Sequence, residues 1–254
     1  MGKIHLLFKK EEVDEGQMKG KVAVVFDVLL ATSTITTGLY YGAKEVVPVL
    51  DHRHAQAEAK DRDKNSYVLV GEYRGKTIEG FLDPTPLTLR GKVEDKTMIL
   101  STTNGTVAIN KAREATRVYI AAMINGKKVA EKINSDHRDD EIMIICSGSS
   151  GEFCIEDFYG AGYFIDCILA NQTAVWKLSD AARAAYYFFK GQENNGEDVL
   201  GHSRVGQMLL RNSFAEEVSY VARQGILSIV PYLKDEGHVV IKEENEFDRS
   251  REKH

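Results

Sequence analysis

Three times along the chain, a short apolar run rich in β-branched residues ends in a loop of small polar residues and gives way to a helical pattern. The units are Val22–Ala43, Thr97–Glu114 and Ile142–Leu169, and their loops read DVLLATST, STTNGT and CSGSSGE. Strand and helix patterns alternating in this way specify an α/β chain with a mostly parallel sheet. In an open sheet of that kind, ligands bind at the carboxyl ends of the strands. The units share a pattern rather than residue identity, so no duplication follows.

The third unit carries the densest chemistry. Glu141–Ser147 reads as a buried strand. Gly148, Ser149, Ser150 and Gly151 follow it, small residues whose backbone N–H groups can approach an anion. Phe153–Leu169 reads as a helix with Glu156 and Asp157 in its early turns. The pair either complements the helix dipole or, with the loop, holds a hard cation beside a phosphate.

Asp27 ends the apolar run Lys21–Val28, where a carboxylate must reach a cation or be hydrogen-bonded. Glu72 ends the third strand, Ser66–Glu72, in the same manner. Mg²⁺ takes one or two carboxylates directly, so these four acids cannot all be its ligands. In the loop Ser101–Thr106, Thr102, Thr103 and Asn104 either offer donors to phosphate oxygens or form an ordinary Asn-Gly turn ahead of a helix. Thr32 or Ser33 caps the helix Ala31–Ala43, and both join Arg74 and the two loops as candidate substrate-binding residues.

Elsewhere, Glu45–Leu50 reads as a strand placed at an edge by Pro48. His54–Lys64 and Asn125–Asn134 read as helices, and Arg117–Met123 as a strand. Tyr73–Leu89 is an irregular connection of the sort that is more often functional than accidental. Beyond Asn171 the chain turns mostly helical, with helices over 174–190 and 204–223, a loop over 191–198, a final strand over 225–233 and a charged, fraying tail over 242–254. At 254 residues it forms a single α/β domain, or two closely packed lobes with the second starting near 171.

Net charge is −5, which gives no sign of nucleic-acid binding. No apolar run approaches the roughly 20 residues of a membrane span, and MGKIHLLFKKEEVDEG lacks the features of a secretory signal. Three cysteines without metal-site spacing suit reduced thiols, so the expected location is cytoplasmic. The stretch Ala185–Phe189 packs either internally or across a dimer, which leaves a homo-oligomer open. A cysteine phosphatase loop needs Arg where Glu152 stands, and no Walker loop is present.

FDVLLATSTITTGLYYGA, GEYRGKTIEGF, STTNGT and GEFCIEDFYGAG, in this order and spacing, resemble the 2-phosphosulfolactate phosphatase (ComB-like) family, and HSRVGQMLL…IVPYL resembles its C-terminal part. The resemblance implies a three-layer α/β/α fold and Mg²⁺-dependent hydrolysis of 2-phosphosulfolactate to sulfolactate and phosphate. On this reading Asp27, Glu156 and Asp157 are the metal candidates and Asp27, Glu72 and Asp157 the catalytic ones. Either a water attacks directly, or Asp27 forms a covalent aspartyl-phosphate. Leu30 and Tyr73 stand where the family has Arg, whose bidentate grip on phosphate or sulfonate Leu cannot imitate. They favour the alternative of a binding protein that keeps the fold and an anion pocket without hydrolysis.

Overall fold

A computed structural model describes residues 1–170, 175–234 and 236–241. The chain begins with β1 (Gly2–Leu7), β2 (Val22–Phe26), α1 (Ala31–Tyr40), β3 (Glu45–Val49) and α2 (His52–Ala59). β4 (Tyr67–Tyr73) folds back through the two-residue β5 (Lys76–Thr77), and an irregular stretch with a 3₁₀ turn at Leu87–Leu89 follows. Then come β6 (Thr97–Ser101), α3 (Gly105–Lys111), β7 (Arg117–Ala121), α4 (Gly126–Asp136), β8 (Glu141–Cys146) and α5 (Ile155–Ala170). The C-terminal part holds β9 (Trp176–Leu178), α6 (Asp180–Gly191), α7 (Gly196–His202), α8 (Arg204–Arg211), α9 (Ala215–Val221), β10 (Pro231–Leu233) and β11 (Val239–Ile241).

β2 is buried at every position, and β8 at all but its first, because both faces of the sheet are covered. Alternate residues serve different layers. Val24, Phe26, Ile144 and Cys146 face a core shared with α4, α5 and α6, whereas Ala23, Val25, Met143 and Ile145 face one shared with α1 and α3. Two helical layers thus sandwich the sheet. On the far strands, Val47 and Ile99 turn instead toward α2.

The strand order is β5-β4-β6-β3-β11-β10-β7-β2-β8-β1-β9. β4, β6 and β3 are mutually parallel, as are β7, β2, β8, β1 and β9, and the antiparallel pair β10–β11 joins the two groups. That pair meets its neighbours near their amino ends, at Val118 and Tyr119 of β7 and at Val46 of β3. At the carboxyl ends the groups close on each other: a Cβ added to Gly105, the first residue of α3, would lie 2.6 Å from Asp27 Oδ2. The wedge at one end brings the loops after β2 and β6 together at the other.

Several expectations need correction. Pro48 is in an interior strand, because β11 covers β3 only at Val46 and the Pro48 carbonyl accepts from Asn110 Nδ2 at 3.1 Å instead. The stretch 225–233 is not one strand. Gly225 and Leu227 donate to the carbonyls of Met123 and Ile124 in an irregular segment, and β10 starts only at Pro231. β1, β9 and β11 were not foreseen; β9 falls where a helix was expected, and α6 begins at Asp180 under a Ser179 cap. The expected loop 191–198 already contains the start of α7. Within the aromatic stretch, Ala185 and Phe189 are buried while Tyr187 is exposed. The charged tail 242–254 lies outside the described residues. No helix among the described residues is long and apolar enough to cross a membrane.

α5 and α6 pack closely through a glycine. A Cβ on Gly162 would sit 2.7 Å from Phe189 Cβ and against the Ala185 carbonyl. Gly162→Ala is therefore expected to lower stability by about 1–3 kcal/mol in urea denaturation.

Candidate active site

The turn after β2 is knotted by its own hydroxyls. Thr32 Oγ1 accepts from Asp27 N at 3.0 Å and donates to the Asp27 carbonyl at 2.9 Å, and Ser33 Oγ donates to the Val28 carbonyl at 2.8 Å. Thr32 and Ser33 are wholly buried. They shape the loop that presents Asp27 and stay beneath the surface a substrate would touch.

Asp157, in the first turn of α5, ties the ends of two strands together. Its Oδ1 accepts from Val28 N at 2.8 Å and its Oδ2 from Gly148 N at 3.1 Å. Glu72 braces another pair of loops. Oε1 accepts from Thr103 N at 2.7 Å and from the Thr103 hydroxyl at 2.9 Å, and Oε2 accepts from Gly75 N at 2.6 Å. Thr102 and Thr106 hold the start of α3, the Thr106 hydroxyl donating to the Thr102 carbonyl at 2.9 Å.

The loop after β8 is a tight hairpin. Ser149 and Glu152 exchange two backbone hydrogen bonds of 3.0 Å, and Ser150 and Gly151 sit between them at φ +55° and +77°, the geometry of a two-residue primed turn. Of the four amides expected to cradle an anion, Gly148 serves Asp157 and Ser149 serves Glu152. Those of Ser150 and Gly151 remain.

These loops surround a cleft of about 690 Å³ whose lining includes five carboxylates (Asp27, Glu72, Asp83, Glu156, Asp157) and two guanidiniums (Arg74, Arg204). Thr102, Thr103, Asn104, Gly148, Ser149 and Ser150 also line it, and Leu30, Val205, Met208 and Phe214 form an apolar side. Arg74 N donates to the Thr103 hydroxyl at 3.2 Å, and the Arg74 guanidinium lies 5.3 Å from the centre of the exposed Tyr73 ring.

Two basic residues without an assigned role in the sequence reading belong here. Arg204 follows the cap Ser203 at the start of α8 and donates to the Ser149 carbonyl at 2.6 Å. It falls in the HSRVGQMLL segment, where a Ser-Arg pair opening a helix was the available signal. Lys10, in the turn after β1, is 7 % exposed and donates to Asn104 Oδ1 at 2.9 Å. It stands in the charged run KKEE, which carries no local mark of burial.

Three buried acids converge at the floor. Burial pushes the Asp27 carboxyl up to about 7, the charges of Glu156 and Glu72 add to this, and the Ala31 N–H and Lys10 oppose it. Burial also raises Glu156, against the pull of the Cys154 thiol, the Ser203 hydroxyl and Arg204. Asp157 is held well above the carboxylate range by burial and by the charges of Asp27 and Glu156. The Ser147 hydroxyl, just past the end of β8, is wholly buried with no hydrogen-bond partner among the described residues. Phe26 and Cys146 pair across β2 and β8, so Ser147 stands beside Asp27.

Among the described residues no group of three or more His, Cys, Asp or Glu side chains is placed to enclose a metal ion unaided. A hard cation that binds one or two carboxylates, and fills its sphere with water and phosphate oxygens, asks for less. The mutually repelling carboxylates of the cleft floor are hard oxygen donors and fit such an ion.

The raised acid has a consequence for stability. Folded Asp27 holds its proton more tightly than the unfolded chain does, so without divalent cations stability should fall as pH rises from near 3.8 to about 7. Asp27→Asn mimics the neutral acid. In chelator it should exceed wild type by on the order of 4 kcal/mol above this window and match it near the lower end, measured by urea denaturation across pH.

The family model described as 2-phosphosulpholactate phosphatase matches residues 7–236. Relatives carrying the name "Probable 2-phosphosulfolactate phosphatase" include one from Clostridium novyi (strain NT), 40% identical over 232 residues, which cover 90% of this chain and 96% of the relative. One from Clostridium tetani (strain Massachusetts / E88) is 37% identical over 234 residues, covering 91% and 97%. One from Caldanaerobacter subterraneus subsp. tengcongensis is 33% identical over 225 residues, covering 88% and 92%. With the match spanning β2 to β10, the loops between them and every acid of the cleft, the chain belongs to the 2-phosphosulpholactate phosphatase family.

Proposed function

We propose that the chain hydrolyses 2-phosphosulfolactate, the compound in its relatives' names, to sulfolactate and phosphate with the help of Mg²⁺. As a member of this family it is a phosphoric monoester hydrolase. The observation that carries the reading is the convergence of Asp27, Glu156 and Asp157 at the floor of a cleft whose walls bring in Arg74 and Arg204.

Asp27 and Glu156 are the residues that would hold Mg²⁺, because both oxygens of Asp157 already accept backbone amides. Bound there, the ion would offset charge on the phosphoryl and leaving oxygens. Arg204 and Arg74 meet the anionic groups of the substrate by charge-assisted hydrogen bonds. The amide of Ser150 and the side chain of Asn104 supply neutral donors, while Gly151 lies outside the cleft lining. Asp157 and Glu72 keep the loops in place, and the apolar side with Leu30 excludes water from the reacting groups. Asp27 accepts the proton of an attacking water or attacks the phosphorus itself, the ester oxygen leaving. Incorporation of labelled solvent oxygen in a single turnover separates those two routes.

Purified protein should release phosphate from 2-phosphosulfolactate in Mg²⁺, stop in chelator and recover when Mg²⁺ is restored. Asp27→Asn should lower kcat by about 10³-fold with an unchanged circular dichroism spectrum. Full activity in chelator would remove the cation from the reading, and near-normal kcat in the variant would remove Asp27.

A further inference from the structure

Lys10 is a cation kept almost out of water beside the cleft. Its side chain is 9% exposed, and its ion-pair partner Glu11, at 3.0 Å, is 42% exposed. Its backbone is pinned on two sides: Lys10 N donates to the Ser147 carbonyl at 3.2 Å, and Lys111 Nζ donates to the Lys10 carbonyl at 3.2 Å. From that anchorage the side chain reaches Asn104, and its Nζ donates to Asn104 Oδ1 at 2.9 Å.

An ammonium can only donate, so the amide oxygen of Asn104 must face Lys10 and the amide nitrogen must face away. Asn104 lines the cleft, so the group it offers there is the Nδ2 donor pair. Without Lys10 the amide is free to turn over and present an oxygen to an incoming anion. A buried ammonium needs a partner that a largely solvated Glu11 only partly provides.

We propose that Lys10 is a positioning residue for the phosphoryl group: by holding Asn104 Oδ1 it fixes Asn104 Nδ2 in the cleft as a donor to a phosphoryl oxygen. The proposal rests on the cleft being a phosphate-ester site. It assigns Lys10 no contact with substrate, since Lys10 acts through Asn104.

The test is calorimetric titration of the Mg²⁺-loaded protein with inorganic phosphate, alongside KM and kcat for 2-phosphosulfolactate. Lys10→Met and Asn104→Ala should each weaken phosphate binding and raise KM by about tenfold, with a smaller change in kcat. The double variant should be no worse than Asn104→Ala alone, and Lys10→Arg should recover most of the loss. Asn104→Asp separates positioning from support. It strengthens the bond to Lys10, so the fold holds, but it removes the donor, so phosphate affinity should still drop. Retained phosphate affinity in Asn104→Asp, multiplying effects in the double variant, or absence of phosphate binding by the wild type would overturn the proposal. A wild type that binds phosphate yet hydrolyses no ester would instead sink the hydrolase reading alone. If Lys10→Met fails to fold, Asn104→Asp and Lys10→Arg still decide.

Discussion

Asp157 links the loop that leads into its own helix to one that lies far away in the sequence. By accepting the amide of Val28 with one oxygen and that of Gly148 with the other, it fixes the ends of β2 and β8 against the start of α5. Losing either bond would strand a buried donor and displace the loop that carries it. Asp27 and the hairpin at Ser149–Glu152 are aimed by that strut. The strut is also the source of the site's tension, since it sets a buried carboxyl beside Asp27 and Glu156. Glu156 raises the proton affinity of both its neighbours and Asp27 that of Asp157, and a floor built this way favours positive charge.

The sheet distributes the remaining work. β4 and β6 lie in one parallel group, β2 and β8 in the other, yet Glu72, Thr103 and Asp27 line one cleft. Inserting β10–β11 near the amino ends makes that compatible with hydrogen bonding, because it separates the groups where they carry no chemistry. Gly105 then permits the close approach at the opposite edge, where any side chain would strike Asp27.

Much of this was legible in the residues. Asp27, Glu156 and Asp157 stood out because a charge at the end of an apolar strand or the start of an apolar helix has few reasons to be there, and the structure brings them together. Thr32 and Ser33 suggested a helix cap, but α1 starts at Ala31 with no side-chain cap; both lie inside the helix and donate back to the Asp27 and Val28 carbonyls, a direction set by contacts that local sequence does not report. The amides of Gly148 and Ser149 were in view as anion donors until Asp157 and Glu152 are seen to occupy them. Lys10 was hidden for a related reason: its burial follows from β1 pairing with β8, a contact between residues far apart in the chain. Pro48 suggested an edge by a sound local rule, but the neighbouring strand is too short to need its missing amide.

The insertion at the centre of the sheet also bears on the order of assembly. Every parallel strand precedes residues 231–241 in the sequence, yet those residues join the two parallel groups. A ribosome therefore delivers both flanks before the piece that connects them. Until it emerges, β3 and β7 each present an open flank, the kind of surface on which a nascent chain pairs with the wrong neighbour.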